Sequence, residues 1–115
     1  MKRGSDKTPP LSAATLHILL ALAGADLHGY GIIQEVSRYS EGHYKVGPGT
    51  LYDNLKKLMD SGLVADAPKA ASAEGDDRRF YTLTIEGRRA LSSEVNRLER
   101  VVREVRSRLK ESRAR

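Results

Sequence analysis

The sequence predicts a mainly α (α+β) fold in which three short helices precede a β-hairpin and a long final helix closes the chain. Three observations carry this reading. Apolar residues recur at three- and four-residue steps in the N-terminal half, two β-prone runs lie between residues 63 and 84, and six aliphatic residues form an unbroken heptad stripe near the C-terminus. The 115 residues, 39% hydrophobic and 30% charged with five tyrosines and one phenylalanine, have the composition of one globular domain.

Residues 1–10 lack periodicity and end in Pro9-Pro10, which reads as a flexible N-terminal arm. Ser12 is placed to cap a first helix running to about Gly24, with Leu16, Leu19, Leu20 and Ala23 recurring along it. The basic start and the apolar stretch Leu16 to Ala25 imitate a secretory signal, but His17 interrupts the run and the prolines separate it from Lys2-Arg3, so a retained core helix is expected. A second helix, from Leu27 to about Tyr39, places Ile32, Ile33 and Val36 on one face and stops at Ser40-Glu41-Gly42. A third opens at Gly47-Pro48-Gly49-Thr50, with Pro48 suited to the first helical position, and turns Leu51, Leu55, Leu58 and Met59 inward before Gly62.

Leu63-Val64-Ala65 and Phe80-Tyr81-Thr82-Leu83-Thr84 read as a hairpin whose long tip, Ala70 to Asp77, is small and acidic. Thr84 is a candidate N-cap for the last helix, which is expected to run to about Ser112, leaving 113–115 as a frayed basic tail. In that helix Leu91, Val95, Leu98, Val102, Val105 and Leu109 are spaced 4, 3, 4, 3, 4. A helix of about 27 residues is roughly 40 Å long, more than one short domain can cover, so this seam is expected to meet a second copy of the chain.

Three helices followed by a hairpin is the winged form of the helix-turn-helix, here residues 11–84, with residues 85–112 as a dimerisation helix. Such a fold offers its third helix to the major groove of double-stranded DNA and its hairpin to the backbone or minor groove. The inward leucines leave Thr50, Asp53, Lys56, Lys57 and Asp60 on the outward arc, flanked by Tyr52 and Asn54, with Thr50, Asp53, Asn54 and Lys57 as candidate base readers, while Gly49 permits close backbone approach. Arg78 and Arg79 stand beside the hairpin tip as candidate backbone or minor-groove contacts. The same residues fit plainer roles: Asp53 and Asp60 fit intrahelical ion pairs with Lys56 and Lys57, and Tyr52 fits packing as well as a phosphate contact.

Charge alone decides little. Of the net +5, none arises in residues 1–84, which carry ten basic and ten acidic side chains; residues 85–115 carry ten basic and five acidic. The absence of cysteine excludes a disulfide scaffold and a thiolate metal site, and agrees with a cytoplasmic location. His17, His28 and His43 have no zinc-ligand spacing, and Ser12, Ser37 and Ser40 lack a nucleophile elbow, so neither a metal site nor an enzyme is expected. No apolar run is long enough to span a membrane.

Three blocks, Leu27-His28-Gly29-Tyr30-Gly31-Ile32, Lys45 to Tyr52 and Arg79 to Leu91, are similar to the hallmark segments of the PadR-like transcriptional regulators, in matching order and spacing over about residues 11–110. The single short C-terminal helix resembles that of the compact subfamily. The resemblance implies a winged-helix DNA-binding domain and a homodimer formed by the last helix with help from the first, hence from Leu16, Leu19 and Leu20. It also implies repression relieved by a small-molecule effector, and a dimer that places each third helix in a major groove predicts a pseudo-palindromic operator. Tyr30 is then expected near phosphates, Thr50 and Tyr52 as contacts, and Tyr81 and Leu83 as packing residues. Gly47 where serine is frequent, Asp53 where proline is frequent, and the acidic tip Glu74-Gly75-Asp76-Asp77 depart from the pattern. No aromatic residue follows Tyr81, so a pocket that stacks a flat ligand between last-helix aromatics is not expected. The alternative of another class is a winged-helix protein-interaction module that no longer binds DNA and uses its heptad helix as an adaptor.

Overall fold

The computed structural model describes residues 10–68 and 77–114. The N-terminal arm up to residue 9 and the greater part of the hairpin tip, residues 69–76, lie outside them, as does Arg115.

Helix α1 (Ala13–Gly24) begins where the Ser12 hydroxyl accepts a hydrogen bond from the Thr15 amide at 3.1 Å, the expected N-cap. Its buried residues are Ile18, Leu19, Ala21 and Leu22, which corrects the expected face of Leu16, Leu19, Leu20 and Ala23. Nearly every residue from Leu16 to Ala23 is apolar, so periodicity could not single out the inner face.

Strand β1 (Leu27–His28) replaces the expected first turn of the second helix. It pairs antiparallel with β3 (Phe80–Leu83), Leu27 opposite Tyr81 and His28 opposite Phe80. Helix α2 (Gly29–Tyr39) starts after His28, whose Nδ1 accepts from the Gly31 amide at 3.0 Å, so the imidazole is the helix cap. Beyond α2, Glu41 and Gly42 take positive φ values of 53° and 78°, reversing the chain toward α3 (Pro48–Asp60). Gly62, at φ 81°, ends α3 as the left-handed residue of a Schellman motif: its amide donates to the Met59 carbonyl and the Leu63 amide to that of Leu58.

Strand β2 (Val64–Asp66) pairs with β3 through Val64 opposite Leu83 and Asp66 opposite Tyr81, giving the sheet order β1-β3-β2. Helix α4 (Ile85–Ala114) starts at Thr84, whose Oγ1 accepts from the Gly87 amide at 2.9 Å and donates to the Gly62 carbonyl at 2.7 Å. It continues two residues past the expected end, through Arg113 and Ala114. The core joins α1, α2, α3 and the sheet through Ile18, Leu19, Leu22, Ile32, Leu51 and Leu55, each at most 2% exposed. At one such side chain, burial contributes about 1.5–3 kcal/mol.

Candidate nucleic-acid interface

Helix α3 lies over this core on Leu51, Leu55 and Leu58 and leaves its opposite face uncovered. Pro48, Gly49, Thr50, Tyr52, Asp53, Lys56, Lys57 and Asp60 are all exposed. Gly47 caps α3 without a side-chain hydrogen bond. The first-turn amides of Gly49 and Thr50 thus stand at an uncapped helix end, with the partial positive charge that attracts phosphate. Beside this end the first turn of α2 holds up Tyr30, 61% exposed, and Tyr52 is 51% exposed.

The two helices meet at a glycine. A Cβ on Gly29 would collide with the Tyr52 hydroxyl and ring, so the bare backbone there is the seat that sets the Tyr52 side chain. This contact was not foreseen from the sequence; the signal was a glycine in the first turn of α2, where a helix former would otherwise be favoured.

Two expected DNA contacts are committed elsewhere. Asn54 is half-buried, donates to the Thr50 carbonyl at 2.8 Å and accepts from the Thr15 hydroxyl at 3.1 Å. Its amide therefore ties α3 to α1 from the edge of the α3 face, where it was expected as a base reader. Arg79 forms a fork on Asp66, at 2.5 and 3.2 Å, and stands 5.3 Å from the Tyr81 ring centre. The hydrogen bond from Arg79 holds the Asp66 carboxyl below its usual pKa, and the pair braces β2 against β3 with its charge neutralised. Arg78 is exposed beside it. Tyr81 and Leu83 are buried packing residues.

The expected dimer residues divide similarly. Leu19 is fully buried within its own core and cannot also meet a partner, which removes it from that set. Leu16 is half-buried and Leu20 exposed. Leu91 packs against the core from α4, whereas Val95, Leu98, Val102, Val105 and Leu109 are exposed, with Val101 widening the strip.

The root of α4 is fixed by Glu94, 6% exposed, which accepts from the Leu11 amide and pairs with Arg97. Burial pushes its carboxyl upward, but Arg97 and the Leu11 amide outweigh this and the net shift is downward. Between α1, α3 and α4 lies an open groove of about 690 Å³ bordered by Leu11, Thr15, Asn54, Lys57, Arg89 and Ser93. Among the described residues no cluster of three or more His, Asp or Glu could hold a metal ion, and no helix is long and apolar enough to cross a membrane.

The model of the transcriptional regulator PadR-like family matches residues 18–93, the segment that holds both the α2–α3 face and the root of α4. The chain belongs to the PadR-like family. A relative, the transcriptional regulator Rv3488 of Mycobacterium tuberculosis, is 39% identical over 82% of this chain and 83% of its own. A solved transcriptional regulator from Clostridium thermocellum superposes with a TM-score of 0.69 at 20% identity, covering 84% of this chain and 96% of that one. Bacillus subtilis PadR, solved in complex with operator DNA, superposes with a TM-score of 0.62 at 24% identity over 73% of this chain and 47% of its own. These two structural likenesses show the winged-helix fold. Members of the PadR-like family are transcriptional regulators, not enzymes.

Proposed function

We propose that this PadR-like protein is a homodimeric, sequence-specific repressor that sets α3 into successive major grooves of a pseudo-palindromic operator. The observation that carries the reading is the α3 face: an uncapped helix end and an outward polar ridge, exposed beside Tyr30 and Tyr52 on a rigid core. Bacillus subtilis PadR, which shares the fold, was solved on operator DNA. The half of α4 beyond Glu94 supports the dimer, because its exposed aliphatic seam finds no cover among the described residues. A small molecule that relieves repression would act from the α1–α3–α4 groove, where Lys57 connects it to the reading helix.

The experiment is selection from a random duplex library at near-physiological salt, followed by a salt titration of the best site. A two-fold-symmetric enriched site with a steep negative slope of log affinity against log salt is expected, since each neutralised phosphate contributes about −0.9 to that slope. A folded dimer that enriches no sequence and shows no salt dependence would instead establish the adaptor reading.

A further inference from the structure

Outward positions on α3 are not equivalent. At about 100° per residue, Asp53 falls roughly 15° from the line diametrically opposite the mean direction of the buried Leu51, Leu55 and Leu58. Gly49 lies roughly 25° from the same line, has no side chain, and has open space where a Cβ would stand. Lys56 and Lys57 sit roughly 50° to either side, and Lys56 approaches Asp60 at 3.9 Å. Asp53 is thus the first side chain on the crest of the helix, at the end that faces base edges in this docking geometry.

Asp53 is also uncommitted. It is exposed, and among the described residues its carboxylate takes part in no hydrogen bond or ion pair, whereas Asp66 is held by Arg79, Glu35 by Arg38 and Glu94 by Arg97. Neither burial nor bonding within the fold accounts for a carboxylate at this position. Against phosphates it is repelled, and the repulsion is smallest on the crest, farthest from the two backbones that border the groove.

At the groove floor the partner of a carboxylate is an exocyclic amino group, while guanine O6 and N7 and thymine O4 are acceptors that oppose it. The adenine amino group lies between two acceptors of its own pair, N7 and thymine O4. The cytosine amino group has an acceptor on one side only. We infer that Asp53 is a specificity-determining residue that selects cytosine at one position of each half-site through the base N4 amino group. The inference rests on the DNA-reading function proposed above.

The test passes the full-length wild type, Asp53→Ala and Asp53→Asn through the same random-duplex selection. Each is then titrated on the enriched site and on a copy with that C·G pair changed to T·A. The wild type is expected to fix cytosine once per half-site and to lose about tenfold or more on the T·A copy. Asp53→Ala is expected to lose the preference at that position alone and to bind both copies within about threefold, as removal of one base contact requires. Asp53→Asn is expected to move the preference toward adenine, whose N6 and N7 suit a carboxamide. An Asp53→Ala preference identical to that of the wild type at every position overturns the inference and leaves the DNA-binding function standing. So does a folded Asp53→Ala variant that weakens all positions equally. A wild type that enriches no sequence overturns both.

Discussion

Two glycines with crowded surroundings separate folding from function at the level of single residues. A Cβ on Gly87 would strike the Leu63 backbone carbonyl and the Leu83 side chain, and backbone cannot swing aside. Gly87→Ala is therefore expected to destabilise the fold by about 2 kcal/mol or more, visible as a lower midpoint in urea. The three atoms nearest to a Cβ on Gly29 all belong to the far end of Tyr52, which can rotate away. Gly29→Ala is expected to keep the wild-type midpoint within about 1 kcal/mol while weakening operator binding as much as Tyr52→Ala does. A Gly29→Ala variant with unchanged affinity would remove Tyr52 from the interface. A third residue carries a pH dependence. His17 is stacked on Tyr44 with ring centres 4.0 Å apart and lies 2.5 Å from the Tyr39 hydroxyl through Nδ1, and burial lowers its pKa. Burial likewise pushes the Tyr39 phenol up to about 12. Because the folded His17 pKa lies below the unfolded value near 6.5, its contribution to stability is complete above that value. It is lost as pH falls through the folded pKa. Thermal melting between pH 7 and 5 should show a falling midpoint in the wild type and a flatter profile in His17→Phe.

Among the elements, α4 has two halves with different surroundings. Its root is bound to the domain by the Thr84 cap, the Gly87 contact, Leu91 and Glu94. From Val95 onward only Arg97 is partly covered and the other described side chains are exposed. A substitution in the distal half should therefore break association without melting the fold. Leu98→Asp with Val102→Asp is expected to sediment as a monomer with wild-type circular dichroism, and a persisting dimer would place the interface elsewhere. The sequence made this helix legible because a heptad stripe on a polar background has one reading. Helix α3 was legible for the same reason, its three buried leucines alternating with charges. In α1 the pattern failed because apolar residues surround the helix, so tertiary contacts alone select Ile18 over Leu20. Two-residue β1 failed because its pairing with β3 is non-local and leaves no period to detect. The commitments of Asn54 to Thr15 and of Arg79 to Asp66 were illegible for a related cause: each joins residues 39 or 13 positions apart. Sequence spacing finds the exposed ridge of a helix but not the side chain that bends off it.

Across the whole molecule, the proposed reading helix α3 and the exposed seam of α4 stand on separate parts of one chain, which spans 63 Å in its longest direction. The residues proposed to touch DNA, Tyr30, Thr50, Tyr52 and Lys57, lie on α2 and α3, whereas Val102 and Leu109 are exposed on the distal half of α4, so affinity for one half-site should be indifferent to the oligomeric state. Affinity for the full operator should not be. In a dimer the second α3 binds at the high effective concentration set by the shared α4 seam, and this multiplies affinity by about 10²–10⁴ without any new contact. The monomeric Leu98→Asp/Val102→Asp variant is therefore expected to bind an isolated half-site as the wild type does. On the complete palindrome it should lose about a hundredfold or more. Inserting five base pairs between the half-sites, about half a helical turn, should reduce the wild type to the same level by turning the second site to the opposite face of the duplex. Fluorescence anisotropy on the three duplexes decides the matter. Equal losses on the half-site and the full site would mean that the seam shapes the winged helix itself, and a wild type indifferent to the insertion would mean that the two reading heads are not held in fixed register.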